Sequence, residues 1–201
     1  MSNFDRCLAV TLKWEGGYSD HPDDNGGKTM MGITHHTLSR WLGRPVNEDD
    51  MRALTKEQAT KIYRDWYWDA VRADHLPPGL DLVAFDGAVH AGAAQSAKWL
   101  QRALGVKDDG IVGPKTVEAA HKADVRSAIH ATVNSRMRML QSLSDWGVFG
   151  RGWAMRLDDI RATALRMAPA PASPPSQRQA TKTAGAGLLA ALWRLLTGGK
   201  A

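Results

Sequence analysis

The chain carries, from residue 14 to residue 34, the run WEGGYSDHPDDNGGKTMMGIT, which decides how its first third is interpreted. Before this run, apolar residues recur at helical spacing and predict an amphipathic helix: Phe4, Leu8, Val10, Leu12 and Trp14. Two glycines follow Glu15 directly, and consecutive glycines end a helix. The sequence therefore places the Glu15 carboxyl at a helix end, at the mouth of a loop.

The surroundings of Glu15 suit a catalytic acid. A carboxyl group beside the aromatic residues Trp14 and Tyr18 would be partly removed from water, which disfavours its charged form. A general acid that cleaves a glycosidic bond needs a carboxyl that holds a proton. The simpler alternative is a surface glutamate in the last turn of an ordinary helix, and for an isolated Glu-Gly pair that alternative would be the better one.

Further blocks along the chain change those odds. They are LTKEQATKIYRDWYW at 54–68, FDGAVHAG at 85–92, and AKWLQRALG at 97–105 followed by DGIVGPKT at 109–116. With the run at 14–34, the first two resemble glycoside hydrolase family 108, which comprises peptidoglycan muramidases found among phage endolysins and bacterial wall-lysis proteins. The third is similar to the predicted peptidoglycan-binding region that accompanies the catalytic part. Four ordered blocks over residues 1–167 are far more specific than any one of them.

The resemblance implies that Glu15 is the general acid of a muramidase. The second catalytic group is more open, because Asp20, Asp23 and Asp24 all lie in the following loop. In phage-type lysozymes a Glu is followed by an Asp and then a Thr, and Glu15, Asp24 and Thr29 come within one residue of that spacing. We therefore favour Asp24, with Thr29 orienting a water molecule. The alternative is that these aspartates only cap turns.

Three residues are predicted to bind substrate: Tyr18, Trp68 and His90. His90 stands where the family pattern has Asn. Any role of that Asn side-chain amide in the family is therefore not carried over to this chain. In the aromatic group at 63–68, Tyr63, Trp66 and Tyr67 are assigned to the core because four aromatic residues cannot all face one side of a helix. Trp68 is the better candidate for stacking on a sugar.

The fold is predicted to be all-α and lysozyme-like, with at most a small β-hairpin near residues 16–33 that turns at Asn25-Gly26. A capping box of Thr55 and Gln58 begins a helix that runs to Val71. One or two buried helices follow between residues 80 and 104, and three more lie between 114 and 167. Residues 1–92 are assigned to a catalytic part, and residues 93–168 to a helical peptidoglycan-binding part packed on it as one compact unit.

The end of the chain differs in composition. Residues 169–183, rich in Pro, Ala and Ser, predict a stiff linker, and residues 184–201 predict a basic amphipathic helix. The formal net charge is +5, and four cations with no acidic residue follow residue 168: Arg178, Lys182, Arg194 and Lys200. Such a tail favours an anionic membrane or lipopolysaccharide, although docking on the body's own surface is an equal alternative.

Several classes are disfavoured. The single Cys7 excludes an internal disulfide, and its place in an apolar stripe indicates a packed thiol. No nucleic-acid motif is present. We expect no cofactor and no metal, because the histidines near residues 21–36 lack paired ligand spacing. We also expect a monomer without a signal peptide, which would leave the host cytoplasm through a holin-type pore to reach the wall.

Three functions are compatible with these residues. The first is a bacteriolytic endolysin that acts as an N-acetylmuramidase on the β-1,4 bond between N-acetylmuramic acid and N-acetylglucosamine. The second is a lytic transglycosylase that uses the same Glu15 and no catalytic water. The third is a non-catalytic wall-binding or secretion-assisting protein, which would have no need of a partly buried acid.

Overall fold

A computed structural model describes residues 1–15 and 29–170 of the chain, except for the side chain of Thr29. The helices are α1 (Asn3–Leu12), α2 (His35–Leu42), α3 (Glu48–Arg52), α4 (Lys56–Tyr63), α5 (Leu80–Ala91), α6 (Ala93–Ala103), α7 (Pro114–Lys122), α8 (Val125–Gln141) and α9 (Trp146–Met167). The strands are β1 (Thr29–Met30) and β2 (Ile33–Thr34). The predicted all-α, lysozyme-like fold is confirmed.

Short-range side-chain caps fix several helix starts. Thr55 and Gln58 form the predicted capping box of α4, in which the Gln58 amide N–H donates to Thr55 Oγ1 at 3.2 Å and the Thr55 amide donates to Gln58 Oε1 at 3.0 Å. Asp124 accepts from the Ser127 amide at 2.7 Å at the start of α8. These bonds satisfy amide groups that have no partner in the first turn of a helix.

The hairpin lies at the end of the interval predicted for it. Its two strands pair antiparallel, Thr29 with Thr34 and Met30 with Ile33, so that Met31 and Gly32 form a two-residue turn. Both turn residues have positive φ, 51° and 74°, as a type I′ turn requires. The turn that we predicted at Asn25-Gly26 lies outside the described residues.

The helix predicted from 56 to 71 changes its pitch at Arg64. Residues Arg64–Trp68 form a π-helical turn, in which hydrogen bonds join residues five apart. The wider turn brings Trp68 into the core, where its ring packs against Phe4 and Phe85, and Trp66 and Tyr67 are left partly exposed. The predicted assignment is therefore wrong for Trp66, which is not part of the core, and for Trp68, which lies within it. Tyr67 is partly buried and packs against the core.

Helix α5 is the centre of the core, and each of its residues from Leu80 to Ala88 is buried. The predicted segment 80–104 consists of two helices, because Gly92 between them has a φ of 85°. At Gly87 a Cβ atom would lie 2.5 Å from Ser96 Oγ, so this glycine allows α6 to pack closely. Helices α8 and α9 also pack on α5.

Residues Met1–Pro169 form one compact unit. No helix in the described ranges is long and apolar enough to cross a membrane. The predicted tail helix at 184–201 and most of the linker at 169–183 lie outside the described residues, so both stay predictions.

Candidate active site

Glu15 follows the end of α1 and is held against α9. Its Oε1 atom lies 2.7 Å from Nη2 of Arg156, and 19% of its side chain is exposed. The preceding Trp14 donates its indole N–H to Asp159 Oδ2 at 2.9 Å. Arg156 and Asp159 are three residues apart and share one face of α9, so two polar contacts pin the end of α1 to the last helix.

The hairpin turn and two tyrosines form the wall beside Glu15. A Cβ atom on Gly32 would lie 2.8 Å from Glu15 Cβ and 2.3 Å from the Tyr63 hydroxyl oxygen, so only glycine fits there. Tyr63 donates to the Met31 carbonyl at 2.9 Å. Burial raises the pKa of Tyr63 and of Tyr67, and the nearby Glu15 carboxyl raises both further. Both hydroxyls therefore remain protonated beside Glu15.

A buried ion network lies behind Glu15. Asp86 on α5 is fully buried and contacts Arg136 Nη1 at 2.5 Å and Arg156 Nη2 at 2.8 Å. Arg156 Nε also donates to the Asp86 carboxylate at 3.2 Å. Burial opposes the ionisation of Asp86, but the two arginines outweigh it and hold the pKa of Asp86 below its usual range. Arg156 thus joins two carboxylates, the buried Asp86 and the partly exposed Glu15.

His90 lies one turn after Asp86 on α5 and packs edge to face on Trp153, with ring centroids 6.2 Å apart. Burial lowers the pKa of His90 to about 3, and the charges of Arg136 and Arg156 act in the same direction. The imidazole is therefore neutral near pH 7. Among the described residues, His90 Nδ1 and the Nε and Nη2 atoms of Arg136 are buried without a hydrogen-bond partner.

This arrangement can present one carboxyl group to a substrate in a fixed orientation. The Arg156 side chain is 7% exposed and is itself held by Asp86, so the position of Glu15 depends on the buried network. Once a carboxyl at this position has given up its proton, the same guanidinium stabilises the carboxylate that remains. Proton donation to a leaving oxygen is the chemistry that this geometry suits.

The predicted site residues have different outcomes. Glu15 contacts Arg156, and His90 lies close enough to Arg136, Arg156 and Asp86 for their charges to act on its pKa. The backbone of Thr29 lies in β1, which pairs with the strand that follows Gly32. Tyr18, Asp24 and the side chain of Thr29 lie outside the described residues. The prediction that Trp68 binds substrate is wrong, because its side chain is 0% exposed. Within 1–15 and 29–170, no group of three His, Cys, Asp or Glu side chains could hold a metal ion.

Sequence analysis missed Asp86, Arg136 and Arg156. Each left a signal, because a charged residue stands where the helical pattern calls for an apolar one. Asp86 interrupts the apolar run of α5, Arg136 continues the stripe of Ile129 and Val133, and Arg156 lies one turn before the buried Ile160. A charge on a buried stripe is rare unless it is paired, so three such positions predict partners for one another.

Comparisons with known proteins show which families the chain resembles. Residues 8–92 match the family described as Glycosyl hydrolase 108, and residues 95–158 match the one described as Predicted Peptidoglycan domain. The structure of Brucella abortus SagA is similar, with 41% identity and a TM-score of 0.79 over 85% of this chain and 98% of SagA. No curated protein matches the chain.

The chain belongs to glycosyl hydrolase family 108. Membership in this family, together with the peptidoglycan domain, makes the chain a glycoside hydrolase that acts on the peptidoglycan of the cell wall. Asp86 and Glu15 both fall in the segment that matches the hydrolase family, whereas Arg136 and Arg156 fall in the peptidoglycan segment. The ion network therefore consists of residues from both matched segments.

Proposed function

We propose that the protein is an N-acetylmuramidase that cleaves the β-1,4 bond between N-acetylmuramic acid and N-acetylglucosamine, with Glu15 as the general acid. The observation that carries the proposal is the contact of 2.7 Å between Glu15 and Arg156, in which the carboxyl is oriented but still reaches solvent. A surface glutamate at the end of a helix has no need of a buried arginine that is fixed by a second, buried carboxylate.

In this mechanism Glu15 transfers its proton to the glycosidic oxygen, which leaves as the 4-hydroxyl of N-acetylglucosamine. Positive charge develops at C1 of the muramic sugar, and a water molecule forms the new bond to that carbon. The Glu15 carboxylate that results is stabilised by Arg156. The neighbouring hydroxyls of Tyr63 and Tyr67 stay protonated and do not compete as bases.

Asp24 is proposed to accept the proton of the attacking water, and Thr29 to orient that water. The proposal rests on the spacing of Glu15, Asp24 and Thr29 in the sequence. It is also supported by the place of Thr29 in β1, since the turn of the same hairpin lies against the Glu15 side chain. A carboxylate that directs water favours inversion at the anomeric carbon.

We further propose that the enzyme serves bacterial cell lysis as an endolysin. On this view it is made in the host cytoplasm and reaches the wall after release through a holin-type pore. The basic tail at 184–201 would then hold it near an anionic membrane or lipopolysaccharide. The support for this role is the resemblance of the sequence blocks to wall-lysis proteins and the composition of the tail.

The test compares the wild-type chain with Glu15→Gln on purified peptidoglycan, with released fragments identified by mass spectrometry. Gln keeps an acceptor for Arg156 but has no proton to donate, so we expect reducing muramic ends from the wild type and none from the variant. Glu118→Gln is the matched control, because Glu118 is an exposed residue of α7 that pairs with Lys122, and its substitution should leave activity intact.

The other outcomes separate the alternatives. Anhydro-muramic ends would identify a lytic transglycosylase that uses the same acid. Fragments that persist in Glu15→Gln would remove Glu15 from the mechanism. A wild-type chain that binds the wall but releases nothing would leave only a wall-binding or secretion-assisting protein.

A further inference from the structure

Three aromatic side chains form a partly exposed cluster on the first half of α9. Trp146, Phe149 and Trp153 are three and four residues apart and so share one face of the helix. The Trp153 ring centroid lies 6.2 Å from that of Trp146 and 5.8 Å from that of Phe149. Phe149 is 49% exposed, and both indoles are partly exposed. We call these three residues the α9 aromatic cluster.

The sequence holds this cluster in place at the expense of helix propensity. Gly150 lies within α9, where glycine is less favourable than alanine by about 1 kcal/mol. A Cβ atom at Gly150 would lie 2.6 Å from the Trp146 ring, so the indole rests directly on the helix backbone. The arrangement fixes Trp146 and leaves part of its ring open to solvent, which a core residue would not need.

The cluster is continuous with the candidate active site. Trp153 contacts the ring of His90, and Arg156, three residues further along α9, holds Glu15. From Arg156 to Trp146 the helix rises about 15 Å, because each residue adds 1.5 Å. That length exceeds one pyranose ring, so an extended glycan strand that is cut at Glu15 can also reach these rings.

The charges around the cluster distinguish a sugar from a membrane surface. Asp145 precedes Trp146 and Arg151 lies between Phe149 and Trp153, so the charges that flank the cluster have opposite signs. Adsorption to anionic lipid requires an excess of cations, and this pair of opposite charges does not supply one. Aromatic faces with mixed polar neighbours suit pyranose rings, whose apolar C–H faces pack against the electron-rich face of an aromatic ring.

We propose that Trp146, Phe149 and Trp153 form a glycan-binding subsite that stacks on sugar rings of the peptidoglycan strand next to the bond cleaved at Glu15. The inference rests on the proposed function for its catalytic consequence, but the binding of glycan itself does not require cleavage. It adds a specificity-determining surface on α9 to the acid at the end of α1.

The test measures binding in the full-length Glu15→Gln background, so that cleavage does not confound it. The probes are glycan strands freed of peptide by an amidase, titrated against tryptophan fluorescence, and vesicles of phosphatidylglycerol. We expect Trp146→Ala and Phe149→Ala each to weaken glycan binding about five- to tenfold. Gly150→Ala should weaken it as well, since it displaces the Trp146 ring while it keeps every aromatic residue.

Val148→Ser is the matched control, because Val148 is 77% exposed on the same helix but is not part of the cluster. The glycan affinity of this variant should stay unchanged. In the otherwise wild-type enzyme, Phe149→Ala should raise KM with little change in kcat, as loss of uniform binding does. Circular dichroism of each variant checks that α9 is folded.

Glycan affinity that is equal in the cluster variants and in Val148→Ser would overturn the proposal. So would loss of vesicle binding with unchanged glycan binding, which would identify a membrane surface. If Glu15→Gln still releases fragments while Phe149→Ala loses glycan affinity, the proposed acid fails and the subsite stands. If Glu15→Gln is inactive and the cluster variants bind normally, the acid stands and the subsite fails.

Discussion

Asp86 and Arg156 form a two-point ion pair inside the body of the protein, with Nη2 of Arg156 2.8 Å from Oδ1 of Asp86 and Nε within 3.3 Å of both carboxylate oxygens. The same Nη2 atom lies 2.7 Å from Glu15. One guanidinium thus serves a structural carboxylate and the proposed acid together, which only a planar group with several N–H donors can do.

Arg156→Lys should reduce both stability and activity. An ammonium is a single point charge that cannot contact both Asp86 and Glu15 in this geometry, so one of the two carboxylates loses its contact with residue 156. We expect the free energy of unfolding to fall by about 3 kcal/mol and kcat/KM to fall at least tenfold. Urea denaturation and turnover of purified peptidoglycan measure the two effects. Arg166→Lys, on the exposed part of α9, is the control, and equal behaviour of the two variants would contradict this role.

Gly32→Ala should disrupt the wall beside Glu15. The new methyl group would meet the Tyr63 hydroxyl and Glu15 Cβ, and alanine would also have to adopt a φ of 74°. The positive φ alone is unfavourable by about 1–2 kcal/mol. Gly43→Ala is the control for this backbone strain, because Gly43 has a φ of 69° and nothing within 4 Å of the position that a Cβ atom would take.

We expect Gly43→Ala to lower the melting temperature modestly and to keep full activity. Gly32→Ala should lower it further and should also lose most of its activity, since the clash displaces Glu15. Equal activity of the two variants would show that the hairpin turn does not position the acid.

Trp68→Phe tests the corrected place of Trp68 in the core. The ring packs against Phe4 and Phe85 with centroid distances of 5.4 Å, so a smaller ring leaves a cavity. We expect a loss of about 1–3 kcal/mol in the free energy of unfolding and no change in KM. Trp66→Phe should be nearly neutral for stability, because Trp66 is partly exposed beneath Arg40. A raised KM in Trp68→Phe alone would restore the idea of a sugar-binding residue.

Asp81 gives a pH dependence of stability with a definite sign. Burial raises the pKa of Asp81 to about 6, although the amides of Leu82 and Gly79 oppose it. In the unfolded chain the pKa of Asp is near 4, so the folded state holds the proton more tightly. The contribution of Asp81 to the free energy of unfolding is therefore complete below pH 4 and is lost as the pH rises to about 6. This contribution is about 3 kcal/mol at most.

Asp81→Asn should remove this dependence. Other groups titrate in the same range, so the quantity to measure is the difference in unfolding free energy between wild type and variant, at pH 4.5 and at pH 7.5. We expect the free energy of unfolding of the variant, relative to that of the wild type, to be higher at pH 7.5 than at pH 4.5. The Asn3 amide donates to Asp81 Oδ2 at 3.0 Å and would have to reorient toward the new amide. A constant difference would mean that Asp81 has an ordinary pKa.

Local patterns predicted most of the helices because their signals lie within a few residues. The capping box at Thr55 and the three helices predicted between residues 114 and 167 depend on neighbouring residues only, and the structure has them at those positions. The π-turn at Arg64 was missed because it inserts one residue into a helical pattern without a local signature. The assignments of Trp66 and Trp68 within this turn were therefore wrong.

The candidate site was predictable only in part for a different reason. Glu15 stands in a distinctive local run, but its partner Arg156 is 141 residues away, and Asp86 lies 50 residues from Arg136. Spacing within a helix cannot pair residues that meet through the packing of α5, α8 and α9. A charged residue at an otherwise apolar position of a helix indicates that a partner of opposite charge exists, but it does not identify that partner.

The path of the ion network limits how such enzymes can be recombined. A chimera joined near residue 93 would keep Glu15 and Asp86 from one parent and receive the arginines that neutralise them from another. If the donor helices arrive in a slightly different register, the hybrid contains a fully buried anion without a counterion. The two segments that match separate families are thus not interchangeable modules, and a wall-targeting region can be exchanged only if helices α8 and α9 stay with the first half of the chain.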